Sequence, residues 1–278
     1  MATRRQRFLL DGATRVLTAL AGLCILAILA ILIGIITVNG WERLSWEFLT
    51  SAPTEGMTAG GIFPAIFGTV ALVLVMSIFV APAGIFVAVY LSEYADRGSW
   101  FYYISRQAVN NLAGVPSIVF GLFGLGFFVQ FVGKGIDRTL GGGELAYGQP
   151  ALLWAALTMA VLTLPVVVVS VEEALQAVPR SYREASYALG STKSQAVFRV
   201  VLPHAMPGVL TGCVLAVSRA AGEVAPILFV GAAYFLPQIP TRLNDQFMHL
   251  GYHVFIMSTQ SPDVDATRPL LYGTVLVL

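Results

Sequence analysis

The chain has 278 residues, of which 57% are hydrophobic and only 11% charged, and its formal net charge is +1. Soluble domains carry roughly 25% charged residues, so this composition belongs to a protein that lives in a bilayer. The near-neutral balance argues against a nucleic-acid partner, and Cys24 and Cys213, both inside apolar runs, read as small buried hydrophobes rather than a disulfide.

A hydrocarbon core about 30 Å thick takes about 20 helical residues to cross. The runs Val16–Val38, Ile62–Leu91, Ala108–Val132, Ala151–Val171 and Pro207–Leu236 meet that length. The first is too long for the core of a cleavable signal and is expected to remain as a span. A further apolar run starts at Pro269 and reaches only Leu278, which reads as a helix cut short at its C-terminus. The expected class is an all-α membrane protein, a polytopic bundle of six transmembrane helices with the last one incomplete.

Basic residues set the orientation. Arg4, Arg5, Arg7 and Arg15 precede the first span and place the N-terminus in the cytoplasm. Alternation then puts Arg97, Arg106, Arg180, Arg183, Lys193 and Arg199 on the same side, against Arg43, Lys134, Arg138, Arg242 and Arg268 outside. Trp41, Trp46, Tyr102 and Tyr103 fall near span ends and read as interfacial anchors. The outer segments are short, Gly141–Gly143 reads as a flexible loop, and recognition of a solute outside is left to another protein.

In the third span, Pro116 and Ser117 are expected to break the helix near its cytoplasmic end. The break is either a packing kink or a loosened backbone that offers N–H groups to an anion.

Between the fourth and fifth spans, the polar interval 172–206 reads as a helix–Gly–helix finger. Arg183 to Leu189 has a small-residue face and turns at Gly190. Gln195 to Leu202 reads as a second short helix, stopped by Pro203, with His204 placed to cap or dock the finger.

The fifth span contains Ser218-Arg219-Ala220-Ala221-Gly222-Glu223. A bare charge at mid-membrane costs about 2.5–3.5 kcal/mol on insertion scales. Arg219 and Glu223, four apart, are therefore expected to share a helix face, pair, and look into the bundle or a wet path. Pro226 is expected to kink that helix. Either Arg219 offers its planar fork to a tetrahedral oxyanion with Glu223 holding the fork, or the pair only fixes helix packing. His249 and His253 have metal-ligand spacing but no third ligand, so they read as a surface pair and no metal site is expected.

Glu184-Ala185, then Gly190, then Leu202-Pro203 resembles the EAA loop of bacterial ABC importer permeases, with Ser186 for the third Ala and Val200 for the usual Ile. Ser218 to Phe229 and Asn110 to Gly124 are similar to segments of the phosphate-importer permeases of the PstA type. Val224 stands where Thr is usual, and Ala225-Pro226 favours this side over the sister permease. The resemblance implies a permease subunit of an ATP-driven importer that brings inorganic phosphate across a bacterial inner membrane.

It further implies that Glu184, Ala185, Gly190, Leu202 and Pro203 couple the chain to a cytoplasmic ATP-binding subunit present in two copies. A heterodimer with the sister permease and an external phosphate-binding protein complete the assembly. Arg219, Glu223, Ser218 and Ser117 are the implied substrate path. The chain has no glycine-rich loop ending in Gly-Lys and Ser or Thr, so it is expected to be a transport subunit without its own ATPase site rather than an enzyme. ATP and Mg belong to the partner subunit, and no cofactor is expected on this chain.

Residues 1–60 are then an N-terminal tail, first span and outer loop, and 61–278 the permease core with its coupling loop at 172–206. A permease for another oxyanion, molybdate or sulfate, fits the same finger. A secondary phosphate symporter, with Glu223 carrying a proton, is the alternative of a different class. Such carriers often show two related halves, and the Arg-Glu segment has no second copy.

Overall fold

A computed structural model describes residues 4–139, 145–261 and 263–278, so the glycines 141–143 lie outside the described residues. Helix α1 (Arg4–Gly40) is continuous because no proline interrupts it. It stands apart from the bundle: Leu17, Leu23, Ile25 and Leu26 all face outward, and its C-terminal end leans on the last helix, Gly40 meeting the Tyr272 carbonyl. Cys24 is exposed on α1 rather than packed in a core.

A short helix α2 (Trp46–Thr50), capped by the Ser45 hydroxyl at Phe48 N, and a two-residue hairpin lead into α3 (Phe63–Val89). A wide, π-type turn over Tyr90–Tyr94 ends it. Then come α4 (Trp100–Gly114), α5 (Ser117–Phe123), which widens over Gly124–Gly133, and α6 (Lys134–Thr139).

Helix α7 (Leu152–Ala177) is the centre of the bundle. Ala155, Ala156, Met159, Val167, Val168, Val171 and Leu175 along it are fully buried, between α3 and α10. Lipid tails are as apolar as leucine, so such packing rests on close van der Waals contact between small side chains more than on water exclusion.

The finger follows as α8 (Arg180–Ala188) and α9 (Lys193–Ala196), and α10 (Leu202–Gly222) returns through the bundle. A smaller apolar cluster of Phe48, Ile62, Met248, Ile256 and Leu270 ties α2 and the start of α3 to α11 (Leu250–Thr259) and α12 (Val264–Val277) at the end away from the finger.

Among the described residues, five helical stretches are long and apolar enough to cross a membrane: Gly12–Arg43, Phe63–Tyr94, Ser117–Thr139, Leu152–Ala177 and Lys193–Gly222. Two differ from the hydropathy reading. The third does not begin at Ala108, because the chain breaks fully at Val115-Pro116, both extended, and α4 is a separate helix. Proline holds the residue before it away from helical angles. The fifth ends at Gly222, fourteen residues short of Leu236 by the numbering, since Glu223 is extended. The last helix starts at Val264, capped by the Asp263 carboxylate, so Pro269 sits inside it rather than opening it.

Candidate functional site

Two places carry the sequence-predicted residues, one at each end of α10. At the first, α8 ends in a turn that only a left-handed residue closes. Gly190 has φ of 83°, its N–H donates to Tyr187 O at 2.9 Å, and Ser191 N donates to Ser186 O at 3.2 Å. These two bonds form a Schellman cap, satisfying carbonyls that the helix end leaves open. Ser186, the departure from the EAA pattern, has its hydroxyl 2.6 Å from that of Ser191, so it bridges the turn. The second arm opens with a capping box: Thr192 accepts from Gln195 N, and Gln195 accepts from Thr192 N.

Pro203 does not stop this second arm. A wide turn over Val197–Val201 passes directly into α10, with Pro203 in its first turn. Pro203 thus lies within one continuous helical stretch, Lys193–Gly222, and the widened turn just before it loosens the ladder that a proline's missing N–H would otherwise interrupt. His204 meets the finger as expected, its ring edge-on to Tyr182 at 4.6 Å and its Nδ1 2.6 Å from Val200 O.

The finger presents an open face. Glu184, Ala185 and Pro203 are exposed, Leu202 is half-buried, and Leu189 at the tip is 90% exposed. Among the described residues the Glu184 side chain makes no hydrogen bond or ion pair. It lines a cleft of about 500 Å³ together with Ser92, Glu93, Arg97, Gln176 and Arg180. Leu189 was not singled out from sequence; a lone large apolar residue beside the turning glycine is the signal that marks it.

The second place is the far end of α10. Arg219 lies in its last turn and Glu223 just beyond, with Nε to Oε1 at 3.4 Å and side chains 54% and 21% exposed. The expected pair forms, though across a helix end rather than along one face. Pro226 kinks no helix: it precedes a single 3₁₀ turn, Ile227–Phe229. Ser218 is exposed beside Arg219.

That irregular segment lies against α5. A Cβ on Gly121 would come within 2.8 Å of Pro226 O and 3.1 Å of Ala225 O, so only glycine lets the two backbones approach this closely. Ser117 opens α5 four residues before Gly121 and so lies on the same helix side. Among the described residues no hydrogen bond joins Ser117 to Arg219 or Glu223. Two backbone breaks, at 115–116 and 223–226, thus flank one short stretch of α5. Non-helical backbone at membrane depth is tolerated where protein or a wet cavity satisfies it.

Other polar features escaped the sequence reading. Arg106 on α4 pairs with Glu172 on α7, whose side chain is 6% exposed. His249 and His253 are not a surface pair: they are 1% and 4% exposed, packed where Leu250 N donates to the Thr69 hydroxyl. Burial pushes both imidazoles down to about 4.

Residues 80–259 match the family described as binding-protein-dependent transport system inner membrane component. The chain is 32% identical over 266 residues to the probable ABC transporter permease protein YqgI of Bacillus subtilis (strain 168), covering 90% of this chain and 85% of that one. It is 37% identical over 193 residues to the phosphate transport system permease protein PstA 1 of Mycobacterium tuberculosis (strain CDC 1551 / Oshkosh). That match covers 69% of this chain and 57% of the relative. Among solved structures, an inward-facing form of the MetNI methionine ABC transporter shares the fold at a TM-score of 0.54 and 21% identity, over 77% of this chain and 87% of that one.

Proposed function

The chain belongs to the family of binding-protein-dependent transport system inner membrane components, and on that premise we propose that it is a permease subunit of an ATP-driven importer that carries inorganic phosphate into the cytoplasm. The finger carries this reading. One side of it is fastened to the bundle, while Glu184, Ala185 and Leu189 on the other are exposed, and among the described residues the Glu184 carboxylate has no hydrogen-bond or ion-pair partner. A rigid projection with a free acidic, small-residue and apolar face is suited to the groove of a moving partner, here a cytoplasmic ATP-binding subunit in two copies. Closure of those subunits then pushes the finger, and α10, continuous with its second arm, carries the push through the membrane.

Phosphate as the cargo is supported by the 37% identity to a relative named as a phosphate transport permease. The chemistry agrees: Arg219 presents a fork of donors that matches a tetrahedral oxyanion, and Glu223 holds it until the anion arrives. Ser218 and Ser117 add hydroxyls on the same path. Because Arg219 faces outward from this bundle, the path needs a second wall, which a sister permease supplies. An external phosphate-binding protein delivers the anion at the end away from the finger, with the N-terminus in the cytoplasm and the chain in the bacterial inner membrane. ATP and Mg act on the partner alone.

Affinity purification in mild detergent tests the reading. An ATP-binding subunit is expected to co-purify with the native chain and to be lost from Glu184→Lys and Gly190→Val. Its absence from the native preparation, or retention by both variants, would refute the docking role.

A further inference from the structure

One guanidinium makes a cluster of polar contacts between the finger's first arm and the bundle. Arg183 Nη2 donates to Glu93 Oε1 at 2.5 Å, and Nε lies 3.2 and 3.4 Å from the two Glu93 oxygens. Its other contacts reach the end of α7: Nη1 to Val178 O and Nη2 to Leu175 O, both at 2.9 Å. Those carbonyls have no helical donor left, because α7 ends at Ala177. One side chain therefore joins α8 to the ends of both α3 and α7. Arg183 and Glu93 are only 18% and 9% exposed, so water screens the contact little.

The second arm holds the neighbouring residue. Lys193 Nζ sits 5.1 Å from the centroid of the Tyr94 ring. Both arms of the finger thus grip consecutive residues, Glu93 and Tyr94, inside the wide turn that ends α3. A π-type turn is a local irregularity in the hydrogen-bond ladder and is often found at functional positions. A second such turn, Val197–Val201, lies where the finger passes into α10.

We propose that Glu93 is the positioning residue through which the finger's displacement enters α3, with Arg183 as its link and Tyr94–Lys193 as a weaker parallel link. This deepens the coupling role proposed above and rests on it. A finger joined to α10 alone would move one wall of the path. Joined also to α3 and α7, it moves the bundle as one body when the ATP-binding subunit closes. Glu93 touches neither phosphate nor ATP; it fixes how far hydrolysis is converted into helix movement.

The complete complex, reconstituted in liposomes with its binding protein, tests this through the number of phosphate ions imported per ATP hydrolysed. Glu93→Gln keeps the shape and removes the charge. Uptake per ATP is expected to fall about fivefold, the lower end of typical coupling energies, with hydrolysis falling less than uptake. Glu93→Asp is expected to recover part of the ratio. Lys193→Met is expected to lower it in the same direction by a smaller factor, and it decides the matter should Glu93→Gln fail to assemble. Uptake and hydrolysis falling in proportion in Glu93→Gln, or an unchanged ratio in the variant that assembles, would overturn the proposal. A native complex whose hydrolysis ignores phosphate and binding protein would instead refute the permease reading itself.

Discussion

Arg219 and Glu223 meet at 3.4 Å across the point where α10 stops being helical, not along a helix face. The pair is thus free to part without unwinding a turn, which suits the anion-binding role proposed for Arg219. Arg219→Ala removes the fork and Arg219→Lys leaves a point charge without its bidentate geometry. Hydrogen bonds to charged groups contribute about 1.5–3 kcal/mol, so Arg219→Ala is expected to lower uptake about tenfold or more in a complex that still assembles. Arg219→Lys should lie between it and the native protein. Labelled-phosphate uptake at matched protein levels checks both.

Gly121 is expected to tolerate no side chain. A Cβ there would stand 2.8 Å from Pro226 O, and the carbonyl is backbone that cannot swing aside. Overpacking costs about 1–3 kcal/mol. Gly121→Ala should lower the melting temperature in detergent and reduce uptake, because the displaced segment carries Glu223.

Arg106 and Glu172 form a partly buried pair between α4 and α7. Arg106→Met leaves the Glu172 carboxylate buried without its partner; breaking a fully buried pair costs about 3–5 kcal/mol, and because the Arg106 side chain is 37% exposed the expected loss falls at or below the low end of that range. Replacing both by methionine should restore most of that stability. A double-mutant cycle on thermal unfolding measures the coupling between them.

His249 and His253, outside the five spans, are held neutral by burial, with values pushed down to about 4 from 6.5. Between these values the unfolded chain takes up protons that the folded chain refuses. Stability is therefore expected to be level above about pH 7 and to fall progressively from about 6.5 toward 4. Changing both to glutamine should flatten that slope. Melting temperature against pH in detergent gives the comparison.

The finger was legible because its signals are local: a turning glycine, small residues before it, and a fixed distance to Leu202-Pro203. The span count and class were legible for the same reason, since a membrane-long apolar run is a property of the run itself. Where spans end was less so. Residues 223–236 are as apolar as a helix, and only the extended Glu223 and the restriction that Pro226 places on Ala225 reveal an irregular segment packed on α5.

Long-range pairs were out of reach. Glu93 and Arg183 are 90 residues apart and Arg106 and Glu172 are 66 apart, and no spacing rule connects them. Burial of the histidines escaped for a related reason. Imidazoles in a polar-looking segment between apolar runs give no sign of the Phe247 ring and the part of α3 that pack beside them.

The decisive measurement is phosphate uptake by the purified complex in liposomes, with ATP inside and the binding protein outside. Uptake is expected to require ATP, to persist when the proton gradient is collapsed, and to be lost in Glu184→Lys and Arg219→Ala. Uptake that continues without ATP but stops when the gradient collapses would contradict the proposed function.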